Sequence, residues 1–155
     1  MKKVALILSI TLVGLTGCSE IGDNVSSNTL VQVTANGGEA PTITPPSGDA
    51  PTTLIAEDVI VGSGTEVVAT STLTLHYTLM KWSDGSIIES SWSRGTPSTF
   101  QLSGLIQGWK QGLPGAKVGG RRLLVLPPAL GYGAMAGHPL EKDTLIFVVD
   151  IIAVS

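Results

Sequence analysis

Apolar and polar residues alternate strictly over positions 72–79, placing Leu73, Leu75, Tyr77 and Leu79 on one face. That is the period of a strand with one buried side. Positions 54–61 read as a second strand, closed by Gly62-Ser63-Gly64. Asp84-Gly85 marks a tight turn, so 86–91 follows as the return arm of a hairpin. Shorter runs at 99–102 and 121–126 add two strands, the latter stopped by Pro127-Pro128. The final run, 144–154, is apolar on both faces apart from Asp150, which predicts a strand inside the sheet. In one stretch the period changes. Leu105, Ile106, Trp109 and Leu113 recur at helical spacing, bracketed by Gly104 and Gly112 and closed by Pro114-Gly115. A helix over 105–112 is too short to hold itself in water, so packing must hold it. The expectation is an α+β fold, a twisted antiparallel sheet wrapped over one short α-helix. Trp109 is then either plain core or the floor of a pocket.

Composition narrows the range of activities. All seven aromatics lie between Tyr77 and Phe147, so the core belongs to the C-terminal two thirds. The formal charge is −3, which gives no electrostatic footprint for nucleic acid. The single cysteine, Cys18, excludes an internal disulfide and cannot hold a metal alone. No phosphate-cradling loop, metal-spaced His/Cys set or persuasive Ser/His/Asp order is present, and neither metal nor cofactor is expected.

Lys2-Lys3 and the apolar run at 4–15 have the form of a secretory signal, too short to span a bilayer comfortably. The run ends in Leu15-Thr16-Gly17-Cys18, which resembles the bacterial lipobox. That resemblance implies a signal peptide over 1–17 and a lipid on Cys18. It places the protein in the bacterial cell envelope, at the outer membrane facing the periplasm in a Gram-negative cell. Residues 19–53 carry no aromatic, Lys or Arg and are rich in Ser, Thr, Asn, Gly and Pro. On its own such a segment cannot offset its ordering entropy, so 18–53 is expected to be a disordered tether and 54–155 the folded domain.

Ten short blocks then occur in order. They are Leu75-His76-Tyr77-Thr78, Asp84-Gly85, Glu89-Ser90-Ser91, Arg94-Gly95-Thr96-Pro97, Gln107-Gly108-Trp109, Val118-Gly119-Gly120-Arg121-Arg122, Leu126-Pro127-Pro128, Gly131-Tyr132-Gly133, Gly137-His138-Pro139 and Thr144-Leu145-Ile146-Phe147. Together they resemble the FKBP-type peptidyl-prolyl isomerases over about 57–154. The resemblance implies rotation of X-Pro bonds in proline-containing polypeptide clients, by a monomer using no covalent chemistry. It implies that Trp109 floors the pocket, that the Tyr132 hydroxyl donates to the substrate carbonyl, and that Glu89 stands for the family's pocket Asp with Arg94 as its partner. Tyr77, Phe100, Ile106 and Phe147 would be walls, Leu105 the rim and His138 a peripheral contact, with Ile88 where the family carries an aromatic wall. His76 reads as structural.

Ser98 also replaces a usual aromatic, Leu79 a usual glycine, and the segment after His138-Pro139 is shortened. These departures imply a more open site. A non-catalytic peptide-binding module on the same fold is the competing expectation.

Overall fold

The computed structural model describes residues 30–155. The signal peptide expected over 1–17 and the lipid site Cys18 lie outside the described residues. Six strands form one antiparallel sheet: β1 (Ile55–Ile60), β2 (Thr72–Lys81), β3 (Ile87–Ser90), β4 (Ser98–Gln101), β5 (Arg121–Leu126) and β6 (Leu145–Val154). Their order is β1-β5-β6-β2-β3, with β4 also paired to β2. β6 lies at the centre, as its two-sided apolar run predicts. The hairpin turn is held at Gly85, whose φ is +67°, and the Ser86 N–H donates to Asp84 Oδ1 at 2.9 Å.

The one α-helix among the described residues, α1 (Gln107–Gly112), starts two residues later than its apolar spacing suggests, because Ile106 is still extended and caps it. Two glycines inside so short a helix cost propensity. They are there for contact with β5. A Cβ at Gly108 would stand 2.4 Å from Leu126 Cδ2, and one at Gly112 would stand 2.6 Å from Leu124 Cδ2. Both leucines are fully buried, so only glycine lets the helix lie this close to the sheet. Leu73, Leu75, Tyr77 and Leu79 join Trp109, Leu113, Leu124, Leu126 and Phe147 in the core between helix and sheet.

The other face of the sheet corrects the expectation of a disordered tether over 18–53 in its described part, 30–53, while 18–29 lie outside the described residues. Residues 30–53 are packed against that face. Val31, Val33 and Ile43 are buried in a second core with Met80, Trp82, Leu123, Val125, Ile146 and Val148. Val33 bridges Ile43 in antiparallel fashion, flanked by Thr44 N–H to Gln32 O at 2.9 Å and Thr34 N–H to Thr42 O at 3.1 Å. This N-terminal strap turns at 36–39 and returns to Gly48, whose carbonyl accepts from Trp82 Nε1 at 3.3 Å. The physical reason lies in the sheet. β5 and β6 carry apolar residues on both sides, Met80 and Trp82 extend that second face at and just beyond the end of β2, and a segment with little apolar surface of its own still orders when it can cover theirs.

Candidate active site

Trp109 sits at the middle of α1, 5 % exposed. Three aromatic rings meet it edge-on: Phe147 at 5.2 Å and 90°, Tyr77 at 5.9 Å and 80°, and Phe100 at 6.2 Å and 89°. Each comes from a different strand, β6, β2 and β4. Such T-shaped contacts fix ring orientation as well as bury area. The Trp109 indole N–H is buried with no hydrogen-bond partner, a rarity shared among the described residues only with Trp92.

Above Trp109 opens a cavity of about 220 Å³ lined by Tyr77, Leu79, Glu89, Phe100, Leu105, Trp109, Tyr132 and Phe147. Tyr132 is presented by a tight loop after Pro127-Pro128. The N–H groups of Gly131 and Gly133 both donate to Pro128 O, at 3.1 and 2.7 Å, and a Cβ at Gly133 would stand 2.6 Å from that oxygen. The His138 ring stacks on Tyr132 at 4.0 Å and 12°, and its own Nδ1 accepts the Leu140 N–H at 3.1 Å. Burial, and secondarily the charge of Glu89, pushes the Tyr132 hydroxyl above its ordinary range, so it remains a protonated donor.

Glu89 Oε1 receives Arg94 Nη1 at 2.7 Å, and Arg94 Nη2 donates to Ser98 Oγ at 3.3 Å. The guanidinium lies 5.8 Å over the Tyr77 ring. Burial is the main cause raising the Tyr77 hydroxyl, with Glu89 adding to it and Arg94 opposing it. The half-exposed Glu89–Arg94 pair therefore braces one wall more than it adds stability.

Eight expected site residues are thus brought to one place: seven line the cavity, and Arg94 reaches it through Glu89 and Tyr77. Three are placed differently. Ile106 caps α1 and packs on the core without lining the cavity. His138 stacks on Tyr132 and does not itself line the cavity. Ile88 is 44 % exposed and does not stand as a wall. β2 pairs Leu79 with Glu89 and Met80 with Ile87, so Ile88 is the extra residue of a β-bulge. Leu79, read only as a replaced glycine, is a wall, and its place in the alternation with Tyr77 already put it on that face.

A larger cavity, about 380 Å³, lies on the opposite side of the sheet beneath the strap turn, among His76, Trp92, Asp150 and glycines 37, 38, 119 and 120. His76 stacks on Trp92 at 4.0 Å, and its Nδ1 is 2.8 Å from Ser91 Oγ. Ser91, His76 and Asp150 share the residue types of a hydrolytic triad but not its geometry. Ser91 is fully buried and its hydroxyl is committed to the backbone N–H and C=O of Tyr77.

An antiparallel sheet over one short helix, with an aromatic cup at the helix centre, defines a class of site that seats a small ring and offers no nucleophile. Residues 64–152 match the family FKBP_C, FKBP-type peptidyl-prolyl cis-trans isomerase. The chain is 46 % identical over 116 residues to a probable FK506-binding protein of Corynebacterium glutamicum, covering 74 % of this chain and 98 % of that protein. It is 42 % identical over 121 residues to an FK506-binding protein of Streptomyces anulatus, covering 75 % of this chain and 98 % of that one. The crystal structure of FkpA from Escherichia coli superposes with a TM-score of 0.61 at 35 % identity, over 69 % of this chain and 51 % of that chain. That of AtFKBP13 superposes with a TM-score of 0.57 at 31 % identity, over 68 % and 96 %. The chain belongs to the FKBP-type peptidyl-prolyl cis-trans isomerases.

Proposed function

We propose that this protein rotates X-Pro bonds of envelope or secreted polypeptides from a position tethered to a membrane. The observation that carries the catalytic half is the cup itself: Trp109 as the floor, three edge-on rings around it, and a protonated Tyr132 hydroxyl on the lining. Rotating an amide costs about 18–20 kcal/mol because the planar form is resonance-stabilised. The twisted form has lost that resonance and carries less dipole. A site that strips water from the planar imide therefore disfavours the ground state more. Trp109 lies beneath the proline ring, Tyr77, Phe100 and Phe147 exclude water around it, and Tyr132 donates to a substrate carbonyl. Glu89 holds Arg94 over Tyr77 and keeps that wall in place. A protease-coupled assay on a short Ala-X-Pro peptide tests this, and a rate no faster than the uncatalysed background overturns it.

The competing reading, a peptide-binding module without turnover, draws support from Ile88. With that side chain turned outward, the cavity has one wall fewer than the resemblance implies. The same assay separates the two readings, since a binding module would retain peptide affinity without turnover.

The anchor rests on the charged start, the short apolar run and Leu15-Thr16-Gly17-Cys18. A diacylglyceryl group and an amide-linked chain at Cys18 would hold stably where one chain alone binds marginally. Cys18→Ser is expected to leave an unlipidated precursor. Equal incorporation of labelled palmitate into that variant would overturn the anchor without touching the isomerase reading.

A further inference from the structure

The cavity on the strap side of the sheet, about 380 Å³, takes no part in the chemistry over Trp109. Its size lies within the range of small-molecule pockets, about 300–1,000 Å³. Arg121 holds the strap on both sides of its turn, through Thr34 O and Asn36 Oδ1 before it and Glu39 O after it. Gly37 and Gly38, between those holds, are thereby fixed as part of the lining. Gly38 and Gly119 have φ of +82° and +85°, which call for glycine, and a Cβ at either would meet no heavy atom within 4 Å. The space beside them stays open. β2 pairs Leu75 with Ile151 and Thr74 with Ala153, so Ile152 is the extra residue of a β-bulge. It lines the cavity and is 44 % exposed.

The polar part of the lining is sparse and its charge is balanced. Asp150 is the one carboxylate there, and Arg121 takes both its oxygens at 2.7 and 3.1 Å, so no unpaired charge attracts an ion. His76 offers more. The Ser91 hydroxyl donates to the Tyr77 carbonyl, so His76 Nδ1 donates to Ser91 Oγ at 2.8 Å. Nε2 of the neutral ring is then an acceptor, and it makes no hydrogen bond among the described residues. The stacked rings of His76 and Trp92 supply aromatic surface beside it, and Ile152 supplies aliphatic surface.

We propose that this cavity is a second binding site, which takes an uncharged ring compound carrying one hydroxyl or N–H donor. The donor bonds His76 Nε2, and the ring lies against Trp92 and Ile152. An apolar cavity of about 150 Å³ takes benzene, so about 380 Å³ has room for two fused rings. A charged ring is disfavoured, because nothing in the lining replaces the hydration it would lose. β2 separates this ligand from the cup, since the consecutive residues His76 and Tyr77 line cavities on opposite sides of the sheet.

The test follows amide and indole N–H resonances of the isotope-labelled protein as 2-naphthol, naphthalene or 2-naphthoate is added. It is run at about pH 8, where an ordinary histidine is neutral. Trp92 and Trp109 line different cavities, so their indole signals tell the two sites apart. 2-Naphthol is expected to shift Trp92, Gly38 and Gly119 saturably, with a Kd below about 1 mM. Trp109 should not move, and saturating the cup with an Ala-X-Pro peptide should change nothing. Naphthalene should bind about two- to twelvefold more weakly for want of the donor, and 2-naphthoate more weakly still. His76→Asn, whose amide can keep the Ser91 contact, and Ile152→Ser, at an exposed position, should each weaken 2-naphthol about two- to twelvefold with an unchanged melt. Ile152→Val should stay close to wild type. Should His76→Asn lose its cooperative melt, Ile152→Ser and the ligand series decide alone. Shifts centred on Trp109 and displaced by the peptide, no saturable shift, a changed rank order of the three compounds, or wild-type affinity in either folded variant overturns the site.

Discussion

Arg121 grips Asp150 with two of its five N–H groups and the N-terminal strap with the other three. Nε and Nη2 reach the two carboxylate oxygens at 2.7 and 3.1 Å, while Thr34 O, Asn36 Oδ1 and Glu39 O take the rest. The guanidinium is wholly buried and every donor is used, so the charge is tolerated because strap and sheet satisfy it together. Burial pushes the Asp150 carboxyl above its ordinary range, against the pull of Arg121.

The strap is therefore part of the stable fold. Ile43→Ala is expected to cost about 2–4 kcal/mol, the range for truncating a buried aliphatic side chain. A chain beginning at Thr52 should lose at least as much, since it bares the second core and leaves three Arg121 donors unpaired. Urea unfolding measures both, and a midpoint equal to wild type for either would return the strap to the status of a loose tether.

The only two tyrosines of the chain, Tyr77 and Tyr132, both stand in the site, so phenolate absorbance reports on it directly. Both hydroxyls are raised, chiefly by burial. A group whose folded pKa lies above its unfolded one contributes stability below the unfolded value, near 10, that is lost as pH rises through the folded value. Phenolate should accordingly appear only above about pH 10, and kcat/KM should show no phenol titration below it. An absorbance midpoint under 10 would contradict the assigned burial.

Gly108→Ala should destabilise although alanine favours helix by about 1 kcal/mol. The added methyl runs into the fully buried Leu126 side chain, so overpacking of about 1–3 kcal/mol wins. Thermal unfolding decides the sign.

Tyr132→Phe and Trp109→Leu should fail differently. Tyr132→Phe keeps the wall and deletes one hydrogen bond of about 0.5–1.5 kcal/mol, a two- to twelvefold loss in kcat/KM with an unchanged melt. Trp109→Leu removes the ring on which Tyr77, Phe100 and Phe147 close, so KM rises and the melting temperature falls together. Steady-state kinetics beside calorimetry on both variants is the measurement. A melt lowered by Tyr132→Phe would make that hydroxyl structural.

Local pattern made much of the architecture legible. The alternation through Leu73, Leu75, Tyr77 and Leu79 gave β2 and its buried face, and the unbroken apolar run gave β6 its central place. Trp109, Tyr77, Phe100, Tyr132 and Phe147 were assigned to the site from blocks whose order resembled the family, and the structure brings them together. The strap was not legible, because its partner surface is assembled from Met80 and Trp82 at and just beyond the end of β2, Leu123 and Val125 on β5, and Ile146 and Val148 on β6. Composition weighs a segment against its own apolar content and is blind to a face it can cover. Ile88 was misplaced for a related reason: one extra residue in a strand changes which way a side chain points, and a block of conserved-looking letters does not count it. His138 lies close to its expected position but stacks on Tyr132.

With the strap packed from residue 30, only residues 19–29 stand in sequence between the anchor proposed at Cys18 and the described fold. Fully extended, at about 3.3–3.6 Å per residue, that is roughly 40 Å at most, little more than the breadth of the domain itself, roughly 35 Å. A tether running to residue 53 would have let the catalytic cup roam three times as far. Under the proposed anchor at Cys18, the greatest reach of residues 19–29 would keep the cup within a thin shell above the lipid.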